Sequence, residues 1–178
     1  MMRNPSIGKC AIWLVSALLG IAATTADAQD KGSRQTREFV QATASSDTFE
    51  VAAAQAALTQ SSNPDVHAFA SRMIQDHQQM AKALMDAAAR SGLKPPALAM
   101  SPDQAQLLGA LQSAGKTDFD ALYLKQQALA HRSALTVQQM YATSGDDPNV
   151  RQSASSAVPV VSSHADMAEQ MAAKLGKQ

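Results

Sequence analysis

The sequence predicts an all-α fold, an antiparallel four-helix bundle with one long crossover that carries a short helix. Three observations predict it. Apolar residues recur at spacings of three and four along four long segments. Helix-capping residues and glycines stand at the ends of these segments. Alanine is abundant and aromatic residues make up only 4% of the chain, which suits closely packed helices better than a β-sandwich.

Charge is balanced, with 15 Lys and Arg against 15 Asp and Glu in a chain of 178 residues. Such a balance provides no basic surface for nucleic acid and no polybasic patch for anionic lipid. The sequence therefore predicts no nucleic-acid partner. It leaves a protein partner and homo-oligomerisation open.

Residues 1–28 have the pattern of a cleaved signal peptide. Arg3 and Lys9 precede an apolar stretch at residues 11–23, and Ala-Asp-Ala at residues 26–28 fits a small-x-small cleavage site. A membrane span needs about 20 apolar residues, so a retained anchor is the less favoured alternative. Cleavage removes Cys10, and the mature chain then has no thiol or disulfide. We therefore expect a periplasmic or secreted protein without a stable membrane span.

The first half of the mature chain contains two helices. Residues 29–35 are polar and predict a flexible leader before the bundle domain, which we place at residues 36–176. The first helix is predicted from Thr36 to Gln60. The second begins at Asn63-Pro64, an N-cap followed by proline at the first helical position, and ends near Ser91-Gly92.

The second half contains the crossover and two further helices. Ser101-Pro102 begins a short helix within the crossover, residues 92–116. A third long helix is predicted to follow Thr117 and to stop at Gly145. The fourth begins at Asp147-Pro148 and reaches about Leu175-Gly176. Two short turns and one long crossover give the ferritin-like arrangement of four helices.

The two halves resemble each other weakly. "NPDVHAFA" and "DPNVRQSA" open the second and fourth helices, and each leads to a His-x-x-Met pair. Either the bundle consists of two hairpins related by a pseudo-twofold axis, or two helices share the same capping chemistry.

Three histidines and one glutamate are the candidate site. His77 and His164 interrupt apolar helix stripes, His131 lies on a more polar one, and Glu50 follows Asp47 on the inner face of the first helix. At about 1.5 Å per residue, Glu50 and His77 lie ~18 and ~22 Å from the first turn. His131 and His164 lie ~22 and ~26 Å from the last. The four side chains are therefore expected to meet at mid-bundle.

Such a cluster suits one divalent metal ion, Zn or Cu, with weaker Fe or Mn binding as a further option. Asp76, Asp120 and Tyr123 are candidates to orient the imidazoles. The alternative is that these histidines are hydrogen-bonded core residues, and that the protein is a non-enzymatic structural or stress-related envelope protein. The methionines are interpreted as core filling and His67 as a surface residue.

Four stretches of the chain carry a resemblance to a known family. They are "FVQATASSDTFEVAAAQAAL", "NPDVHAFASRMIQDHQQM", "FDALYLKQQALAH" and "VPVVSSHADMAEQM". Over about residues 36–175 the chain resembles the bacterial exported domain of unknown function 4142, which is similar to the ferritin-like superfamily. The family's recurring polar features fall on Glu50, Asp76-His77, Phe119-Asp120-Tyr123, His131 and Pro159-His164. The resemblance implies a fold and a compartment but no reaction.

Several enzyme classes lack their motifs. A di-iron carboxylate site requires Glu-x-x-His, but the residues three before His77, His131 and His164 are Ile74, Ala128 and Val161. No Gly-x-Ser-x-Gly or His-Glu-x-x-His sequence points to a hydrolase. We therefore assign no catalytic residue and favour a non-enzymatic role.

The cluster also carries an expectation about acid stability. At least two buried imidazoles should be neutral, with pKa values below the reference of about 6.5, so that stability falls as pH drops below that value. Glu50 acts in the same direction if a neighbouring imidazolium lowers its pKa.

Overall fold

A computed structural model describes residues 31–176. In that range the fold is all-α, with five α-helices joined by turns and loops and no strand. The helices are α1 (Arg34–Gln60), α2 (Pro64–Arg90), α3 (Pro102–Gln112), α4 (Lys116–Ser144) and α5 (Pro148–Leu175). The signal peptide predicted at residues 1–28 lies outside this range. Within the described range, none of the helices combines the length and the apolar character that crossing a membrane requires.

Side-chain caps begin most of the helices where the sequence predicts them. Asn63 accepts a hydrogen bond from a backbone amide at the start of α2, and Asp147 does so at the start of α5. Ser101 forms a capping box with Gln104 at α3. These three boundaries follow from local capping chemistry alone.

Two predicted starts are displaced. α4 begins at Lys116 and has Gly115 at its N-cap position without a side-chain cap, so the prediction of a start after Thr117 was wrong. α1 begins at Arg34, two residues before the predicted Thr36, because Ser33 caps the helix by accepting from the amide of Thr36.

The four long helices pair as two hairpins. α1 packs on α2 through the short connection at residues 61–63, and α4 packs on α5 through residues 145–147. α2 also faces α5, and α1 faces α4. α3 lies in the crossover and packs against α1 and α4. Each long helix therefore contributes one face to a shared interior.

That interior contains two separate apolar clusters. The larger includes Phe49, Met73 and Phe119. The smaller includes Phe39, Leu84 and Tyr141, with the rings of Phe39 and Tyr141 stacked at 4.0 Å. On each long helix, buried polar residues lie near the level where the parts that belong to the two clusters meet. Six of them are Asp47, Glu50, His77, Gln127, His131 and His164. We call these six residues the polar layer.

Candidate metal centre

Three imidazoles from three helices meet in the polar layer. His77 comes from α2, His131 from α4 and His164 from α5, and each is at most 4% exposed. Their ring centroids are 5.2–5.5 Å apart. The sequence analysis placed these histidines at similar heights along their helices, to within about one turn, and their side chains do meet.

One ring nitrogen of each imidazole contacts an oxygen outside the three rings, and we call it the outer nitrogen; the other ring nitrogen is the inner one. His77 Nδ1 lies 2.8 Å from Asp47 Oδ1. His131 Nδ1 lies 2.9 Å from the backbone carbonyl of Gln127, and His164 Nε2 lies 2.8 Å from Asp76 Oδ2. Because carbonyl and carboxylate oxygens accept hydrogen bonds and cannot donate them, these contacts place an N–H on the outer nitrogen of each ring.

The inner nitrogens of His77 and His131 then turn toward each other. His77 Nε2 and His131 Nε2 are 3.3 Å apart, and His164 Nδ1 is buried without a hydrogen-bond partner. Two facing lone pairs at 3.3 Å repel unless a proton or a cation lies between them. Two ligands of a tetrahedral zinc ion, each about 2.0–2.1 Å from the metal, lie about 3.3 Å apart.

One ligand atom from each of these three histidines falls within 4.8 Å of the other two. The outward contacts to carboxylate or backbone oxygen are the arrangement that fixes the tautomer of metal-binding histidines. The three buried histidines could therefore hold a metal ion.

Glu50 is the fourth residue of the predicted site. Its side chain is 2% exposed, and Oε1 lies 4.0 Å from Nδ1 of His131, which is the outer nitrogen of that ring. Glu50 Oε2 has no hydrogen-bond partner. Burial raises the pKa of Glu50 to about 7, although the charge of His77 acts to lower it. Glu50 adjoins the three imidazoles, and its role as a ligand stays a prediction.

The three candidate orienting residues differ in position. Asp76 bonds to His164 and also accepts from Arg72 at 3.2 Å. Burial acts to raise the pKa of Asp76, but these two partners outweigh it and the pKa is lowered. Asp120 Oδ1 and the hydroxyl of Tyr123 are buried without a partner. Only Asp76 of the three has a described hydrogen bond to one of the clustered histidines.

The electrostatics divide the three imidazoles into two kinds. Burial, together with the charge of His77, lowers the pKa of His131 to about 3. Burial also lowers the pKa of His164, although its bond to Asp76 acts in the opposite direction. For His77, burial acts to lower the pKa, but the hydrogen bond to Asp47 and the charges of Glu50 and Asp47 outweigh it and raise it. A proton in this cluster therefore belongs on His77.

Asp47 is a site residue that the sequence analysis placed on the right helix face but did not select. Its signal was the spacing of three from Glu50, which puts both carboxylates on one side of α1. His67, interpreted as a surface residue, is half-buried and bonds through Nε2 to the carbonyl of Ser61 at 2.8 Å.

Comparison with known proteins identifies a structural relative and a family. The crystal structure of a DUF305 fragment from Deinococcus radiodurans is similar to this chain, with a TM-score of 0.71. The two are 16% identical, and the match covers 81% of this chain and 99% of that one, which shows a shared fold alone. A search of the curated proteins found no match. The family described as domain of unknown function DUF4142 matches residues 22–171, most of the sequence, and the chain belongs to that family.

Proposed function

We propose that this chain is an exported metal-binding protein of the periplasm or cell surface. Its four long helices form a ferritin-like four-helix bundle, and His77, His131 and His164 bind one divalent ion at mid-bundle. One observation carries the proposal: three buried imidazoles each offer a ligand atom within 4.8 Å of the other two, and each also has a ring nitrogen in contact with a carboxylate or backbone oxygen.

Export is the part of the proposal that depends on the N-terminus. A basic start, an apolar stretch at residues 11–23 and a small-x-small site at residues 26–28 support it. N-terminal sequencing of protein recovered from the periplasm or medium should begin at Gln29. A chain that retains Met1 or Met2 and stays in the membrane fraction would contradict cleavage.

Three imidazoles favour Zn or Cu over Mg or Ca, which prefer oxygen ligands. The low pKa of His131 keeps its lone pair free at neutral pH. Glu50 is the proposed fourth ligand because it is buried next to this ring and has an oxygen without a partner. To reach the ion, its side chain must turn from the outer toward the inner side of His131.

Elemental analysis tests metal binding directly. After equilibration with Zn or Cu and removal of free ion, the natively purified protein should retain about one ion per chain. His131→Gln should retain less than about 0.1 ion per chain, because it removes one of the three imidazole ligands. His67→Gln is the matched control and should bind like wild type. Wild-type protein with less than about 0.1 ion per chain would overturn the proposal.

A second candidate is a structural or stress-related envelope protein whose polar layer serves only fold specificity. One observation favours it: a proton shared between His77 Nε2 and His131 Nε2 would satisfy both nitrogens without metal. In that case the double variant His77→Leu, His164→Leu should keep or raise the melting temperature, since apolar replacement of buried polar groups is often neutral or stabilising. Failure of the wild-type protein to fold without metal would count against this candidate.

A further inference from the structure

One outer side of the bundle carries most of its exposed apolar side chains. Five large apolar side chains are exposed in the described part of the chain, and four of them lie on α3 or α4. They are Leu107, Leu129, Val137 and Met140, which are 43%, 56%, 44% and 65% exposed. α3 lies against α4, where Gln126 Nε2 donates a hydrogen bond to the carbonyl of Leu107 at 3.0 Å. These side chains therefore share one surface, which we call the α3–α4 face.

The α3–α4 face also lacks charge. No Asp, Glu, Lys or Arg occurs in residues 104–115 or in residues 133–144. The ion pair between Arg132 and Glu169 borders the face on the side of α5. α2, in contrast, exposes charged side chains along its whole length. An apolar, uncharged centre with a charged border is the anatomy of a protein–protein interface, and exposed apolar patches of this kind mark binding surfaces.

The spacing of residues on α4 fits a second copy of the same chain. Leu129, Ser133 and Val137 follow one another at intervals of four, so they form a single ridge of the helix with a small residue at its centre. A twofold axis near Ser133 would bring Leu129 against Val137 of the partner subunit, and Val137 against Leu129 of the partner subunit. The ridge is thus complementary to itself, which a twofold contact requires. Because the face has no charge, no like charges would meet across the axis.

We propose that the α3–α4 face is the contact surface between two copies of this chain, paired with antiparallel α4 helices about a twofold axis near Ser133. From Leu129 to Ser144, α4 is about 23 Å long, and two adjacent helices are about 20 Å wide. Pairing therefore buries on the order of 1,000 Å² in total, at the lower end of specific interfaces, so the dimer is weak and reversible. The contact is separate from the metal centre, because no residue of the polar layer is exposed on this face.

Sedimentation equilibrium of the natively purified protein between about 5 and 500 µM, with chelator present, tests the pairing. The weight-average mass should rise with concentration from one chain toward two. Val137→Glu and Leu129→Lys should each weaken association at least about tenfold, because each places an unpaired charge in an apolar contact. Ala89→Glu, a similar change on an exposed α2 position away from the face, is the control and should associate like wild type. Circular dichroism confirms that each variant retains its helicity.

Mixing Val137→Glu with Leu129→Lys tests the antiparallel register. In a dimer of one variant with the other, the introduced glutamate faces the introduced lysine at one contact, and the wild-type pair of leucine and valine remains at the other. The mixture should therefore associate at least about tenfold more tightly than either variant alone. A mixture that stays monomeric would overturn this pairing.

Three other results would overturn the proposal. The first is wild-type protein that is monomeric at every concentration, including protein that instead co-sediments with vesicles of phosphatidylcholine and phosphatidylglycerol, which would assign the face to a lipid surface. The second is a dimer that both charged variants leave intact. The third is a dimer that chelator abolishes, which would assign the contact to bound metal.

Discussion

Asp47 determines which nitrogen of His77 is free. Its Oδ1 accepts a hydrogen bond from Nδ1 of His77 at 2.8 Å, so Nε2 turns inward toward His131. A carboxylate in that position also makes the imidazole a stronger donor to a metal. The orientation of one ring in the polar layer therefore depends on a residue that would not itself touch the ion.

Asp47→Asn should reduce the affinity for Zn about 10- to 100-fold, since the asparagine Oδ1 can still accept the hydrogen bond from Nδ1 of His77 but carries no charge. Competition with a chromophoric chelator measures this. Asp86→Asn is the control, because Asp86 is exposed on α2 and pairs only with the neighbouring Lys82 in the described contacts. An Asp47→Asn affinity equal to that of the control would show that this contact does not tune the site.

At the scale of elements, the turn between α4 and α5 is built around a close approach. Gly145 donates its amide to the carbonyl of Tyr141 at 2.8 Å, and a Cβ at this position would lie 2.6 Å from that oxygen and against the Tyr141 ring. The ring stacks on Phe39, and its hydroxyl lies 2.7 Å from the Thr36 hydroxyl. The glycine is thus required by space, since its φ of −61° suits any residue.

Gly145→Ala should lower the free energy of unfolding by about 1–3 kcal/mol, because the added methyl group displaces Tyr141 from a packed position. Urea denaturation measures the change. Gly109→Ala on α3 is the matched control, since no atom lies within 4 Å of its added Cβ. There the same substitution should be neutral or stabilising by up to about 1 kcal/mol. Equal effects at both glycines would refute the packing argument.

Helix starts were predictable where a side-chain cap stands directly before a proline, and the Ser33 cap of α1, which has no proline after it, was missed. Three helix starts could be predicted because each has a short polar N-cap residue directly before a proline: Asn63, Ser101 and Asp147. α4 has no such signal, since Gly115 provides no side chain to accept a hydrogen bond. Its start therefore depends on backbone contacts that the sequence does not reveal.

For the whole molecule, the titratable groups of the polar layer make stability depend on pH, some favouring the folded state at higher pH and others at lower pH. The depressed pKa values of His131 and His164 make stability full above about pH 6.5 and falling below it. His77, whose pKa is raised, contributes stability that is lost as pH rises through its folded pKa. Glu50 does not act as the sequence analysis expected, because burial raises its pKa to about 7 instead of lowering it. Its contribution is present below about pH 4.5 and is lost between pH 4.5 and 7.

Wild-type stability without metal should therefore fall less steeply between pH 7 and 5 than the depressed pKa values of His131 and His164 alone would require, because the raised pKa values of Glu50, His77 and Asp47 act in the opposite direction. Glu50→Gln removes one offsetting group and should lose about 2 kcal/mol more than wild type over that interval, at about 1.4 kcal/mol per pKa unit. Thermal and urea unfolding on chelator-treated protein measures this. Glu38→Gln, an exposed change on α1, is the control and should follow wild type. Parallel curves for the two variants would contradict a buried Glu50 of raised pKa.

Convergence of the histidines followed from helix rise and turn length, because an α-helix converts residue number into height with little freedom. Ring orientation did not follow from these quantities. It depends on the side-chain contacts of Asp47, Asp76 and the Gln127 carbonyl, which come from three helices. The place of Glu50 beside the outer nitrogen of His131 depends on the same packing, so it too lay beyond sequence reasoning.

The separation of the interior into two unequal apolar clusters has a kinetic consequence. The smaller cluster buries less apolar surface, so its end of the molecule should open at a lower free energy than the molecule unfolds as a whole. His77, together with Leu84 of the smaller cluster, lines a cavity of about 480 Å³ on that side of the polar layer. An ion held by the three histidines would then enter and leave through opening of that end alone. Its residence time would follow the rate of local opening, and it would be far shorter than the lifetime of the folded chain.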